Sequence, residues 1–167
     1  MSIIKNLYSI ETGNFKLDGG AMFGVVPKTI WEKTNPADDL NMINMAARSL
    51  LIETNHKLIL IDTGLGDKQS EKFFSHFSLW GDFSLEKSLA NYGFSKNDIT
   101  DVFLTHLHFD HCGGAIEKDS NGKLSLTFKN AKYWSNADKL QKPNKTLTLA
   151  KRCSPLTRNL LQVKIKR

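Results

Sequence analysis

The chain has 167 residues, 40% of them hydrophobic and 24% charged, with 23 Lys+Arg against 17 Asp+Glu and a formal net charge of +6. That is enough apolar material to build the core of one domain, and it argues against general disorder. No apolar run approaches the roughly 20 residues of a membrane span, the first residues lack a hydrophobic signal region, and two cysteines cannot make a disulfide framework, so a cytoplasmic home is the default expectation.

In chain order, residues 3–10 and 14–26 read as strands of an opening hairpin or meander, with Gly13 and Asp18-Gly19-Gly20 as turn signals. Residues 36–43 form a polar connection that starts at Pro36. Residues 46–53 and 57–62 read as two strands around a Thr54-Asn55-His56 turn, with His56 exposed at its tip. Residues 68–80 and 84–92 are expected to be helical, Leu85 and Leu89 sharing one face and Gly93 closing the second helix. Phe73, Phe74 and Phe77 read as packing residues or a lid. Ser95 and Asp98 suit a short capping turn before a strand at 101–105. Two further short strands are expected at 123–128 and 131–135. This order suits a layered α/β arrangement in which a mixed sheet is covered by helices.

The decapeptide Thr105-His-Leu-His-Phe-Asp-His-Cys-Gly-Gly114 carries the functional information. Three of the five histidines and one aspartate fall between His106 and His111. Imidazole and carboxylate are the ligands that suit a borderline metal such as zinc. If the chain stays extended through His106 and His108, period-2 alternation puts both rings on one side, where they can grip one ion. A turn into a helix at Asp110 would direct Asp110 and His111 toward a second ion nearby. Histidines at a strand end can also be plain solvated loop residues, but that reading explains neither the spacing nor Asp110. Cys112 reads as a small buried residue beside the site rather than a nucleophile, because no catalytic partner pattern accompanies it. Other motifs fail: Gly64-Leu-Gly66 would need glycine at position 69 for a dinucleotide turn, and that residue is Gln.

His106-x-His108-x-Asp110-His111 followed by Gly113-Gly114 resembles the signature of the metallo-β-lactamase-fold hydrolases. Leu58-Ile-Leu-Ile-Asp62-Thr63-Gly64 resembles the strand and turn that precede that signature, and residues 85–99 resemble the intervening helix and run-in. The stretch from Leu17 to Lys28 is similar to the opening of the acyl-homoserine lactonase and methyl parathion hydrolase-like branch. The resemblance covers roughly residues 15–138. It implies an αββα sandwich of which this chain supplies about the N-terminal half. It further implies a zinc-dependent hydrolase acting on a small ester, lactone or related substrate, with two ions in an intact relative and iron or manganese as alternatives. His106 and His108 would sit on the first metal, Asp110 and His111 on the second, and Asp62 beside them orienting a ligand. Asp110 is also the expected proton relay. Gly20 to Lys28 would form a loop over the pocket, with Met22 and Phe23 as apolar contacts.

Relatives take further ligands from downstream segments, whereas no histidine follows His111 here. Residues 1–138 contain all 17 acids, while residues 139–167 hold 9 Lys+Arg and none. The expected division is therefore a domain over 1–138 and a basic tail over 139–167. The tail reads as the product of a truncated or frame-shifted gene, as a divergent native end, or as a nucleic-acid arm. Three functions follow: a metallo-hydrolase with a small-molecule substrate, an inactive fragment or pseudo-enzyme of the same family, and, ranked last, a nucleic-acid-binding module.

Overall fold

A computed structural model of the chain describes residues 3–135. The readings for residues 139–167 lie outside the described residues. Among the described residues the architecture is a five-stranded mixed sheet in the order β1-β2-β3-β4-β7, with a separate hairpin of β5 (Ile116–Lys118) and β6 (Leu124–Leu126). Strands β1 (Ile4–Asp18), β2 (Met42–Thr54) and β3 (Leu58–Ile61) pair antiparallel in that order, β1 with β2 and β2 with β3. Strands β4 (Asp101–Leu104) and β7 (Lys132–Ser135) then add in parallel. A parallel addition needs a crossover, and the β3-to-β4 segment supplies it with helices α3 (Glu71–Ser75) and α4 (Leu85–Ala90).

The opening differs from the expected hairpin. β1 is one strand of 15 residues, and Gly13 is not a turn within it. Pairing passes from Glu11–Arg48 directly to Gly13–Ala47, so Thr12 is an extra, bulged residue. Its hydroxyl donates to Ala47 O at 2.9 Å, and Gly13 takes φ 142°. One inserted residue reverses side-chain parity, which is why Ile10 and Phe15 lie on the same buried face although their spacing in sequence is odd. After Asp18 the chain does not continue as strand to residue 26. It forms two short helices, α1 (Gly19–Phe23) and α2 (Lys28–Trp31), with the Asp18 carboxylate capping α1 by accepting from Ala21 N at 2.7 Å. The Phe23 ring stacks on Trp31 at 5.0 Å, so the expected loop with Phe23 as a pocket contact is replaced by a small helical arm that uses the ring internally.

The turn at Thr54-Asn55-His56 and the exposure of His56 are as expected. The first expected helix contracts from residues 68–80 to 71–75. Ser78 takes φ 43°, and Lys16 N and Trp80 N bond to Phe77 O and Asn14 O, so the segment after α3 runs along β1 instead of coiling. The second helix holds: Ser84 caps it, Gly93 takes φ 78°, and Phe94 N closes onto Leu89 O at 3.0 Å. Ser95 and Asp98 form the expected reciprocal turn, with Asp98 Oδ2 accepting from Ser95 N and Oγ.

The main core lies on the α4 side of the sheet, where Ile10, Leu51, Leu60, Val102 and Leu104 meet Leu89, Ile116 and Phe128. The opposite face leaves Leu7, Leu50 and Phe103 exposed. The described residues thus supply one helical layer and one sheet layer of the expected sandwich. No helix among them is long and apolar enough to cross a membrane.

Candidate metal centre

Strand β4 ends at Leu104, the chain bends at Thr105, and His108, itself in an extended conformation, is the N-cap of a one-turn helix α5 (Phe109–Cys112). A 3-10 turn over Gly113–Ala115 follows and leads into β5 (Ile116–Lys118), which pairs with β6 (Leu124–Leu126). The end of β3 is the second half of the site. Parallel pairing of Ile61 with Phe103 sets Asp62 beside the start of the ligand run.

Two glycine-rich turns are locked against each other there. Thr63 N donates to His111 O at 2.7 Å, and Gly114 N to Gly64 O at 2.9 Å. A Cβ on Gly113 or Gly114 would overlap the carbonyl oxygen of Leu65 or Thr63. The buried Lys68 amine also donates to Gly113 O, and burial lowers its pKa to about 8. Cys112 is fully buried in the main core beneath the turn, in keeping with its reading as a packing residue.

Asp62 organises the polar network. It sits at φ 59°, a left-handed conformation that is uncommon for a side-chain-bearing residue. Oδ1 accepts from Thr105 N at 2.8 Å; Oδ2 accepts from Thr105 Oγ1 at 2.7 Å and from His111 Nδ1 at 2.8 Å. An ionised carboxylate only accepts, so His111 carries its proton on Nδ1 and presents the Nε2 lone pair outward. The single Thr105 hydroxyl proton goes to Asp62. The contact of Thr105 Oγ1 with His106 Nδ1 at 3.1 Å therefore requires the imidazole to donate, which frees His106 Nε2 as an acceptor. One carboxylate and one hydroxyl thus select the ligating tautomer of two histidines, as second-layer groups do at metal sites. Thr105 was not singled out in the sequence; its position between the strand end and His106, level with Asp62, is the signal that locates it.

The four candidate ligands form two pairs. His106 Nε2 lies 3.2 Å from His108 Nδ1, and His111 Nε2 lies 3.4 Å from Asp110 Oδ2. Two nitrogens on a tetrahedral zinc at about 2.0–2.1 Å each stand about 3.3 Å apart, so each pair has the bite of two donors on one ion. The rings of His106 and His111 are 4.0 Å apart, which makes the pairs adjacent. Asp110 and His111 are accordingly not directed well away from the other two, because the helix is a single turn folded back by Asp62. Burial, then the nearby imidazoles His111 and His108, hold the His106 pKa below its ordinary value, which favours the neutral form that ligates. The donor set fits divalent ions at two donors apiece. Among the described residues no group of three or more His, Cys, Asp or Glu converges on one point.

Phe109, also unnoticed in the sequence, packs between the ligands and an aromatic cluster. Its ring lies 4.4 Å from Phe77, 5.5 Å from Phe73 and 6.2 Å from Phe15. The phenylalanines of 73–77 are thus packing residues that wall one side of α5.

Residues 45–144 match the family profile of the Metallo-beta-lactamase superfamily. Among solved structures, a probable metal-dependent hydrolase from Staphylococcus aureus is similar over 81% of this chain and 48% of its own, at 38% identity and TM-score 0.73. AidC, described as a dizinc quorum-quenching lactonase, matches over 80% of this chain and 44% of its own, at 33% identity and TM-score 0.55. An N-acyl homoserine lactonase of Bacillus cereus is 26% identical, covering 74% of this chain and 47% of the relative. The chain spans about half the length of each.

Proposed function

The chain belongs to the metallo-beta-lactamase superfamily, and from that premise we propose that it is a lactonase-like metallo-hydrolase, taking a small ester or lactone of the N-acyl homoserine lactone class. The paired donors at 3.2 and 3.4 Å, with their tautomers selected by Asp62 and Thr105, carry the reading. His106 with His108, and His111 with Asp110, would hold the ions, with zinc suggested by the dizinc lactonase among its relatives. Such ions supply Lewis-acid polarisation of a carbonyl and ionise water near neutral pH.

The chain's own residues have three tasks. Asp62 and Thr105 keep Nε2 of His106 and of His111 unprotonated and aimed at the ligand position. The other oxygen of the Asp110 carboxylate, Oδ1, accepts a proton from the attacking water and returns it to the departing alkoxide. Phe109 and its aromatic neighbours keep bulk water from one side of the cluster. The test is hydrolysis of an N-acyl homoserine lactone by the full chain loaded with zinc. Activity that disappears in His106→Ala and under chelation supports the reading; hydrolysis indifferent to both removes it.

A second reading rests on the count of two donors per pair among the described residues. Two donors bind an ion more weakly than three or four, so the same centre in this polypeptide can hold metal without turnover. Saturable zinc binding with no hydrolysis of any lactone or ester would favour it.

A further inference from the structure

The turn that carries Asp110 and His111 is gripped from behind by the segment that follows β3. Thr63 holds the His111 carbonyl twice, through its N–H at 2.7 Å and its hydroxyl at 3.1 Å. Two peptides further on, the Gly113–Gly114 group is bound at both of its polar ends. Its N–H donates to Gly64 O at 2.9 Å, and its carbonyl accepts from the Lys68 amine. Gly66 leaves room for that carbonyl, since a Cβ there would stand 2.8 Å from Gly113 O. Lys68 is the charged member of this grip.

An ammonium group is a costly way to fill the space. Lys68 is 6% exposed, and burial of a cation opposes folding. A methionine side chain has a similar unbranched shape and carries no such penalty. What the amine adds is a charge-assisted hydrogen bond, stronger than a neutral one, to a carbonyl just past the end of α5. That helix has four residues, too few to keep a fixed place without outside support.

We propose that Lys68 is a positioning residue for the second ligand pair: anchored on Gly113 O, its amine fixes the turn that presents Asp110 and His111. His106 precedes the turn and takes its orientation from Thr105, so the first pair does not depend on the amine. The inference rests on the reading of these four side chains as metal ligands.

The test compares the full native chain with Lys68→Met, which keeps the length of the side chain and removes the donor. NMR of the metal-free protein reads the His111 Nδ1–H that Asp62 holds. In the variant its signal is expected to broaden through faster exchange with water, while the His106 ring signals stay in place. On zinc titration the second equivalent is expected to bind about tenfold or more weakly, with the first unaltered. Urea unfolding at pH 7 is expected to show a variant no less stable than the native chain, because the lost group is a buried cation. Unchanged His111 signals in the folded variant, equal disturbance of His106 and His111, or equal weakening of both equivalents would each overturn the proposal. The imidazole signals are read without metal, so they decide the role of Lys68 even if the native chain takes up no zinc, a result that would remove the metal-centre reading alone.

Discussion

The Asp62 carboxylate holds the His111 ring by its Nδ1 at 2.8 Å, and with it the direction in which Nε2 points. The same oxygen accepts from Thr105 Oγ1, so the end of β3 sets the ligand geometry of a segment almost 50 positions downstream. Asp62→Asn is an informative change, because asparagine tolerates the left-handed backbone as well as aspartate does and only the charge and one acceptor are lost. Zinc affinity, read by competition with a chromogenic chelator, is expected to fall about 10–100-fold, with the fold retained by circular dichroism. Unchanged affinity would remove Asp62 from the ligand-orienting role.

Thr105→Val keeps shape and removes the hydroxyl between Asp62 and His106. The expected result is a mixture of His106 tautomers in place of a single Nδ1–H form, visible in the nitrogen shifts of the imidazole by NMR. A single, unaltered tautomer would contradict the relay.

The glycines after the motif are steric requirements. Gly113→Ala would drive a methyl group into the Leu65 carbonyl and separate the two turns that position His111. A loss of about 2–4 kcal/mol in urea unfolding is expected, on the scale of other disruptive buried changes. By contrast, Gly122→Ala meets open space and carries only the penalty of its φ of 79°, about 1–2 kcal/mol. Equal losses at the two positions would argue against close packing of the turns.

Lys68 makes stability depend on pH in a defined direction. Burial lowers its folded-state pKa to about 8, against an ordinary 10.5. Between those values the unfolded chain binds more protons, so stability rises with pH across the window from about 8 to 10.5. Below pH 8 the ammonium is carried in both states, and the burial penalty, on the order of 3 kcal/mol, is fully present. The difference in unfolding free energy between the native chain and Lys68→Met should therefore shift in favour of the native chain as pH climbs through that window. A difference that stays flat would show that the amine is not held in a desolvated setting.

Much of this was legible in the sequence, for physical reasons. The β2–β3 turn, α4 with its Gly93 stop, and the short run into β4 each combine periodicity with a local cap or turn residue, and each was located correctly. The candidate ligand run was legible because its four potential donors fall within six positions, His106 to His111. The misreadings occurred where tertiary contact overrides local signals. Gly13 reads as a turn, but β2 pairs along the whole of β1 and absorbs Thr12 as a bulge. Residues 76–80 read as the continuation of a helix, but after a turn over 76–78 two backbone bonds to β1, at Phe77 O and Trp80 N, end the coil. Thr105 and Phe109 escaped notice because their roles depend on neighbours in β3 and α3, which no spacing within the motif encodes.

Zinc titration of the metal-free full chain tests the central claim most directly, with bound metal counted by elemental analysis and His106→Ala and His108→Ala measured alongside. The account predicts saturable uptake by the native chain that either substitution weakens sharply. A protein that purifies without metal and takes up no zinc, or takes it up equally well without those imidazoles, would contradict it.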